Sequence, residues 1–159
     1  TKSLMHTESM ILMQSFRDKY LKDLAGLTVL DVGSAKVRRN QPTYREIFEP
    51  DFKYFGMDIA PNTNVDIVGY ANIPGTFDVV ISGQVMEHIA FPWEWLKSLT
   101  KYFRKYICII APHTHGEHRF PIDTYRYFPD GMRALFEFAG IKEIEILKDR
   151  ISTMGIGTQ

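Results

Sequence analysis

Apolar and polar positions follow two periods along the chain, and the switches between them divide it into elements. Leu12, Phe16, Tyr20 and Leu24 recur every four residues, a one-sided stripe that predicts an N-terminal helical segment over 1–26. Gly26 is its natural stop. Thr28 to Val32, within "LTVLDVGSAKV", reads as a buried strand that breaks at Gly33. A short helix follows around Tyr44 to Phe48, ending before Pro50. "FKYFGMDI", Phe52 to Ile59, is a second strand closed by Pro61, "VDIVG" a short third, and "FDVVISG", Phe77 to Gly83, a fourth. Pro92 suits the first turn of a helix carrying Trp95, Leu96, Leu99 and Phe103 on one face. "YICIIAP" is a fifth strand, apolar on both faces. Pro129 to Ala139 is a helix with Met132, Leu135, Phe136 and Ala139 inward and Gly140 as cap. "IKEIEILKD" alternates apolar and charged residues, as a strand with one wet face does.

Short strands that alternate with helices, with continuously apolar strands at the centre, predict an α/β, doubly wound, mainly parallel sheet. One domain is expected over 1–159, with a core at 27–150 and a tail at 151–159. No strand is read in that tail, so a C-terminal strand hairpin is expected to be incomplete.

Composition narrows the function. The chain has 159 residues, enough for one domain with a real core. Its 19 basic residues balance 19 acidic ones, which argues against a nucleic-acid partner. Cys108 is the only cysteine, so no intramolecular disulfide forms. It lies in an apolar run, as a core thiol would, and a reducing, cytoplasmic setting fits. No stretch has membrane-spanning length, and no signal-peptide pattern is present. The oligomeric state is left open.

In doubly wound sheets ligands sit beyond the carboxyl ends of the strands. The residues there are Asp31 to Lys36, Asp58, Gly69 to Asn72, Gly83 to His88, and Pro112 onward. A pyrophosphate needs glycines where this chain has Ala35 and Arg38. A nucleoside cofactor without phosphates needs neither. It needs Gly33 for close approach and an acid at the end of strand two for the ribose hydroxyls. Asp58 follows Gly33 at close to the separation of about 20 residues expected for that acid. Each residue also has a plain structural reading. Asp31 could end a strand, Asp58 could form a turn, and Glu87 and His88 could cap the turn after strand four. Trp93 and Trp95 read as core and partner surface.

Four segments in order resemble class I S-adenosylmethionine-dependent methyltransferases, over about Leu27 to Ile146. "VLDVGSA" resembles the first motif of that family and "YFGMDIAP" the second. "FDVVISGQVMEHI" resembles its fourth-strand motif. "HRFPIDTYRYFPDGMRALFEFAGI" resembles the segment after strand five in a small-molecule or sugar subgroup, similar to methyltransferase type 11. The resemblance implies S-adenosyl-L-methionine as cofactor. Asp31 and the backbone at Gly33 and Ser34 would hold its methionine end. Asp58 would take the ribose hydroxyls, Ile59 would pack on the adenine, Tyr70 and Ala71 would border it, and Gln84 would border the sulfonium. The first motif is poorer in glycine than is usual for the family, and the acid that often contacts the adenine amine there is replaced near Tyr70 and Ala71.

"PHTHGEHRF" places His113, His115 and His118 within six residues, with Glu117 between. Such spacing can ligate zinc, and the run resembles the H-x-H-x-D-H motif of metallo-β-lactamase-like hydrolases, with Glu for Asp. Nothing else matches that fold, so no metal is expected on the run. Under the methyltransferase reading this loop meets a small-molecule substrate. His118 and His88 are the candidate bases, and Asp123, Tyr125 and Arg126 could orient a sugar or acidic acceptor. A solvated loop with structural hydrogen bonds is the plain alternative. The leading expectation is methyl transfer to a small-molecule acceptor, such as a sugar or glycan hydroxyl. A non-catalytic cofactor-binding or scaffold protein on the same fold is one alternative. A metal-dependent hydrolase built on the 113–118 loop is another.

Overall fold

The computed structural model of the chain describes residues 2–159, and Thr1, the first residue of the expected N-terminal segment, lies outside them. Helix α1 is Lys2–Tyr20, followed by β1 (Thr28–Val32), α2 (Arg45–Phe48), β2 (Lys53–Asp58), β3 (Ile67–Val68), β4 (Phe77–Gly83), α3 (Pro92–Leu99), β5 (Phe103–Pro112), α4 (Pro129–Ala139), β6 (Lys142–Lys148) and β7 (Ser152–Thr158). Short 3₁₀ turns lie at Tyr70–Asn72 and Met86–His88. The seven strands form one sheet in the order β3-β2-β1-β4-β5-β7-β6. Strands β1 to β5 pair in parallel, with Asp31 beside Gly56 on one side and Ile81 on the other. Only β7 runs against its neighbours, β5 and β6.

The period of two along each strand sorts the core into two layers. Leu30, Val32, Val80, Ile107 and Ile109 face α3 and α4, where Leu96, Leu99, Met132 and Phe136 meet them. Val29, Val79, Ile81, Cys108 and Ile110 face α1 and α2, where Leu12, Met13, Phe16 and Phe48 lie. Cys108 is a core thiol, and burial pushes its pKa up. Gly140 caps α4 in the left-handed conformation that a side chain disfavours.

Three expectations need correction. Helix α1 stops at Tyr20, and Leu21 rather than Leu24 turns inward; Leu24 is exposed, and Gly26 ends a following loop rather than the helix. Phe103 does not continue α3 but starts β5, whose first half is amphipathic. Above all, the tail is no tail. Residues 152–158 are a strand buried at every position but the last, and the C-terminal hairpin is complete.

Small residues let β7 lie under α4. A Cβ on Gly157 would stand 2.3 Å from Ile141 Cγ2 and 2.9 Å from the Lys142 carbonyl oxygen. The backbone oxygen cannot swing aside. Gly157→Ala should therefore cost about 1–3 kcal/mol of stability, the scale of an overpacked core. A shift of the urea midpoint at unchanged slope would measure it.

Candidate functional site

All the strand-end candidates lie along one edge, because the parallel strands end there together. At the end of β1 the chain turns through Gly33 at φ +85°. The conformation itself calls for glycine, and Val85 lies against the Gly33 Cα, within 2.2 Å of where a Cβ would be. The close approach expected there is thus made by a side chain of the turn after β4. The Gly33 and Ser34 N–H groups both donate to the Met57 carbonyl, at 2.8 and 3.0 Å. Asp58, at the end of β2, accepts from Ala35 N at 2.9 Å and Ile59 N at 2.7 Å. Its two oxygens thus tie the two turns together while each keeps a lone pair. Ile59 is 73% exposed, an apolar side chain left without a neighbour to cover it. Tyr70 is half-buried and accepts a 2.7 Å bond from the Trp95 indole N–H, while Ala71 is exposed beside it.

Asp31 is buried behind this turn. The Tyr54 hydroxyl donates to it, and Asn64 donates to that same phenol oxygen at 3.0 Å. Asn64 also donates to the Ser34 carbonyl and accepts from Ser34 Oγ, and its side-chain oxygen takes a 2.9 Å bond from Arg45 Nε. The Arg45 guanidinium lies over the Tyr54 ring and pairs with Asp66 at 2.7 Å. Burial pushes the Asp31 pKa up to about 7, with Asp58 adding and the Tyr54 bond and Arg45 opposing. Tyr54, Asn64 and Arg45 went unread in the sequence, because nothing local marks a bond across tens of residues.

Past β4, Gln84 takes φ +59°, the only non-glycine among the described residues in that region. Its amide nitrogen donates to Ser152 Oγ on β7 at 3.0 Å, while its buried Oε1 has no hydrogen-bond partner. Tyr44 fills the space over Gly83, with its hydroxyl 1.8 Å from where a Cβ would stand, and bonds Ser9 on α1.

Glu87 follows on the next turn and is fully buried. Neither carboxylate oxygen has a hydrogen-bond partner. Burial pushes its pKa up to about 8, against weaker pulls from its own backbone N–H and from Arg126. His88 donates from Nδ1 to the Ile122 carbonyl at 2.7 Å, and its Nε2 is 3.8 Å from Glu87 Oε2. The loop after β5 brings His118 onto His88, ring centroids 4.9 Å apart, with His115 beyond at 4.5 Å. Burial lowers the His118 pKa. His113 leaves this group: it is buried and bonds the Asp149 carbonyl at 2.8 Å.

Asp123 and Arg126 form a two-bond ion pair at 2.7 Å for each bond. Arg126 further donates to the His115, Gly116 and Tyr125 carbonyls, and Asp123 accepts from His118 N. The Arg126 bonds hold the Asp123 carboxyl well below the usual range. Both side chains shape the loop, and both also line the open cavity beside it. Tyr125 remains exposed, 6.2 Å from the Trp93 ring, on the wall of an open cavity of about 270 Å³ shared with His115, Glu117 and Thr124.

A seven-stranded sheet in this order, with the sixth position alone reversed, is the Rossmann-like methyltransferase fold. Among solved structures, magnesium protoporphyrin IX methyltransferase from Synechocystis PCC 6803 with bound SAH aligns over 98% of this chain and 84% of its own, at TM-score 0.69 and 14% identity. A SAM-dependent methyltransferase from Aquifex aeolicus aligns over 96% and 97%, at TM-score 0.60 and 17% identity. The N-terminal domain of EvdMO1, crystallised in the presence of SAH and D-fucose, aligns over 94% and 81%, at 0.60 and 15%. No family model and no curated protein sequence matches the chain. No helix among the described residues is long and apolar enough to cross a membrane.

Asp31 carries a pH signature. Its carboxyl holds a proton more tightly in the fold, with a pKa of about 7, than at the ordinary value of 3.8. Folding is therefore favoured while the group is protonated, and that contribution is lost as pH rises from about 4 through about 7. The wild-type chain should lose stability over that window relative to Asp31→Asn. Urea melts at pH 5 and pH 8 measure the difference, and parallel pH profiles would contradict it.

Proposed function

We propose that the chain is an S-adenosylmethionine-dependent methyltransferase acting on a hydroxyl of a small-molecule acceptor, with sugars and glycans as the acceptor class. One observation carries the reading: an acid at the end of β2 bonds the Gly33 turn with a lone pair to spare on each oxygen, on the methyltransferase sheet order. Two spare acceptors on one carboxylate suit the paired hydroxyls of a ribose. The exposed Ile59 offers an apolar face to the adenine, with Tyr70 and Ala71 at its border. The unpartnered Gln84 Oε1 suits a cationic donor at the methionine end. A pyrophosphate would be poorly served, because the Gly33 and Ser34 N–H groups already bond Met57.

When bound, the cofactor supplies an electrophilic methyl group on a sulfonium. The chain must align the acceptor oxygen behind that carbon and take its proton. His88 and His118 are the groups at hand, and the depressed pKa keeps His118 neutral and able to accept a proton near pH 7. Asp123 and Arg126 hold the loop that presents His118, and Tyr125 with Trp93 lines the surface where an acceptor ring could stack. The D-fucose of the EvdMO1 crystals supports the sugar class.

Calorimetric titration should give heat with S-adenosylmethionine and none with NAD, and the reverse would sink the reading. Asp58→Ala should weaken cofactor binding by about 1.5–3 kcal/mol, the scale of hydrogen bonds to a charged group.

If an imidazole takes the proton, His118→Ala or His88→Ala should cut turnover by about 10²–10⁴ and leave cofactor affinity nearly unchanged. Turnover that survives both substitutions would remove the histidines from the chemistry.

A further inference from the structure

The histidine run does not converge on itself, since His113 turns away to the Asp149 carbonyl. A different trio does converge. Glu87 and His88 stand on the turn after β4, and the loop after β5 lays His118 over them. The Thr124 N–H and hydroxyl stitch that loop to the Glu87 carbonyl at 2.7 and 3.0 Å. One ligand atom from each of the three residues lies within 4.8 Å of the others. We propose that Glu87, His88 and His118 form a site for one divalent transition-metal ion of the zinc type.

The imidazoles are prepared for it. His88 Nδ1 faces the Ile122 carbonyl at 2.7 Å and His118 Nδ1 faces the Gly116 carbonyl at 3.1 Å. A carbonyl only accepts, so both Nδ1 atoms carry the hydrogen and both Nε2 atoms keep a lone pair. Metal-bound histidines are held in this way, by a backbone or carboxylate acceptor behind the ring. Asp123 Oδ2 adds a second acceptor, 3.7 Å from His118 Nδ1.

The carboxylate calls for a cation. Glu87 is fully buried, and neither oxygen has a hydrogen-bond partner. A purely structural role would close a hydrogen bond to His88, yet Nε2 stays 3.8 Å from Oε2, beyond hydrogen-bond distance. A fully buried carboxyl that no hydrogen bond answers is rare, and groups of this kind are normally paired or coordinate a metal. Two imidazoles and one carboxylate suit zinc, iron, cobalt or manganese better than magnesium or calcium, which take oxygen ligands. Ligand atoms around tetrahedral zinc stand roughly 3.3 Å apart, from bonds of ~2.0–2.1 Å. The trio must close by up to about 1.5 Å to reach that, within the reach of side-chain rotation. Three protein ligands then leave one position open for water or an acceptor oxygen, and because the ion occupies both Nε2 lone pairs, the two imidazoles serve as bases only in the metal-free chain.

Metal binding does not rest on the cofactor reading, and the two are measured apart. The full chain, stripped with a chelator, is titrated with Co²⁺ and then Zn²⁺, without S-adenosylmethionine. One Co²⁺ per chain is expected, with the visible absorption of a low-coordinate site, displaced by one Zn²⁺. His118→Ala, on a loop outside the apolar core, should weaken Zn²⁺ binding by at least the ~10–100-fold that even an outer partner of a ligand is worth. Glu87→Gln, with folding checked by circular dichroism, should do the same, and His115→Ala should leave binding unchanged. A wild-type chain that binds no metal stoichiometrically overturns the proposal. So does binding that is indifferent to Glu87→Gln and His118→Ala, or binding lost with His115→Ala but kept with His88→Ala.

Discussion

The antiparallel insertion of β7 between β5 and β6 is the constraint on which the functional edge depends. β7 pairs with β5 from Gly157 opposite Ile107 to Ser152 opposite Pro112. Its start therefore lands beside the end of β5, where the histidine loop begins. From there Ser152 takes the Gln84 amide, Thr153 donates to the Tyr127 carbonyl at 2.6 Å, and the Ile151 carbonyl accepts from His113 and Thr114. A reversed strand brings the far end of the sequence to the edge where the parallel strands finish. Without it, the loop from 113 to 128 would lose its fixed floor.

The strand is also the part of the fold least legible in the sequence. "STMGIGT" neither alternates nor forms a continuous apolar run, because both its faces are covered and one of them needs glycine. Met132 and Phe136 of α4 lie within 2.8 Å of where a Gly155 Cβ would be. Small residues here are an adaptation to a neighbour contributed by a different element, which no local pattern reveals. The central strands were legible for the opposite reason. Their apolar runs reflect burial on both faces, which is a property of the strand itself. The same logic explains Leu24, where a four-residue stripe continued on paper after the helix had ended at Tyr20.

At the edge, spacing made Asp31, Gly33 and Asp58 visible, because strand ends bring them together whatever lies between. Their partners stayed hidden. Tyr54 looks like any apolar strand residue, yet its hydroxyl is what Asp31 bonds, and Asn64 in an unremarked loop joins the two turns. Asp123 and Arg126 were visible as charges, but their commitment to each other was not, since a bidentate pair depends on a loop shape that only the fold supplies.

The contrast between the two buried acids then separates scaffold from site. Asp31 is buried and answered, by a tyrosine that is itself answered by an asparagine. Its network is closed and holds the Gly33 turn in place. Glu87 is buried and unanswered, and so is the Gln84 oxygen one turn earlier. Protein interiors rarely leave such groups without partners, and both lie on the same few residues after β4. Among the described residues, three of the five buried side-chain polar atoms without a partner lie here, one on Gln84 and two on Glu87, while the other two are Glu8 Oε2 and Arg17 Nε. A ligand cation that approached these residues would meet acceptors that folding has already taken out of water. That is the economy of preorganisation: the cost of desolvating these groups is met during folding, and binding has only to supply the missing partner.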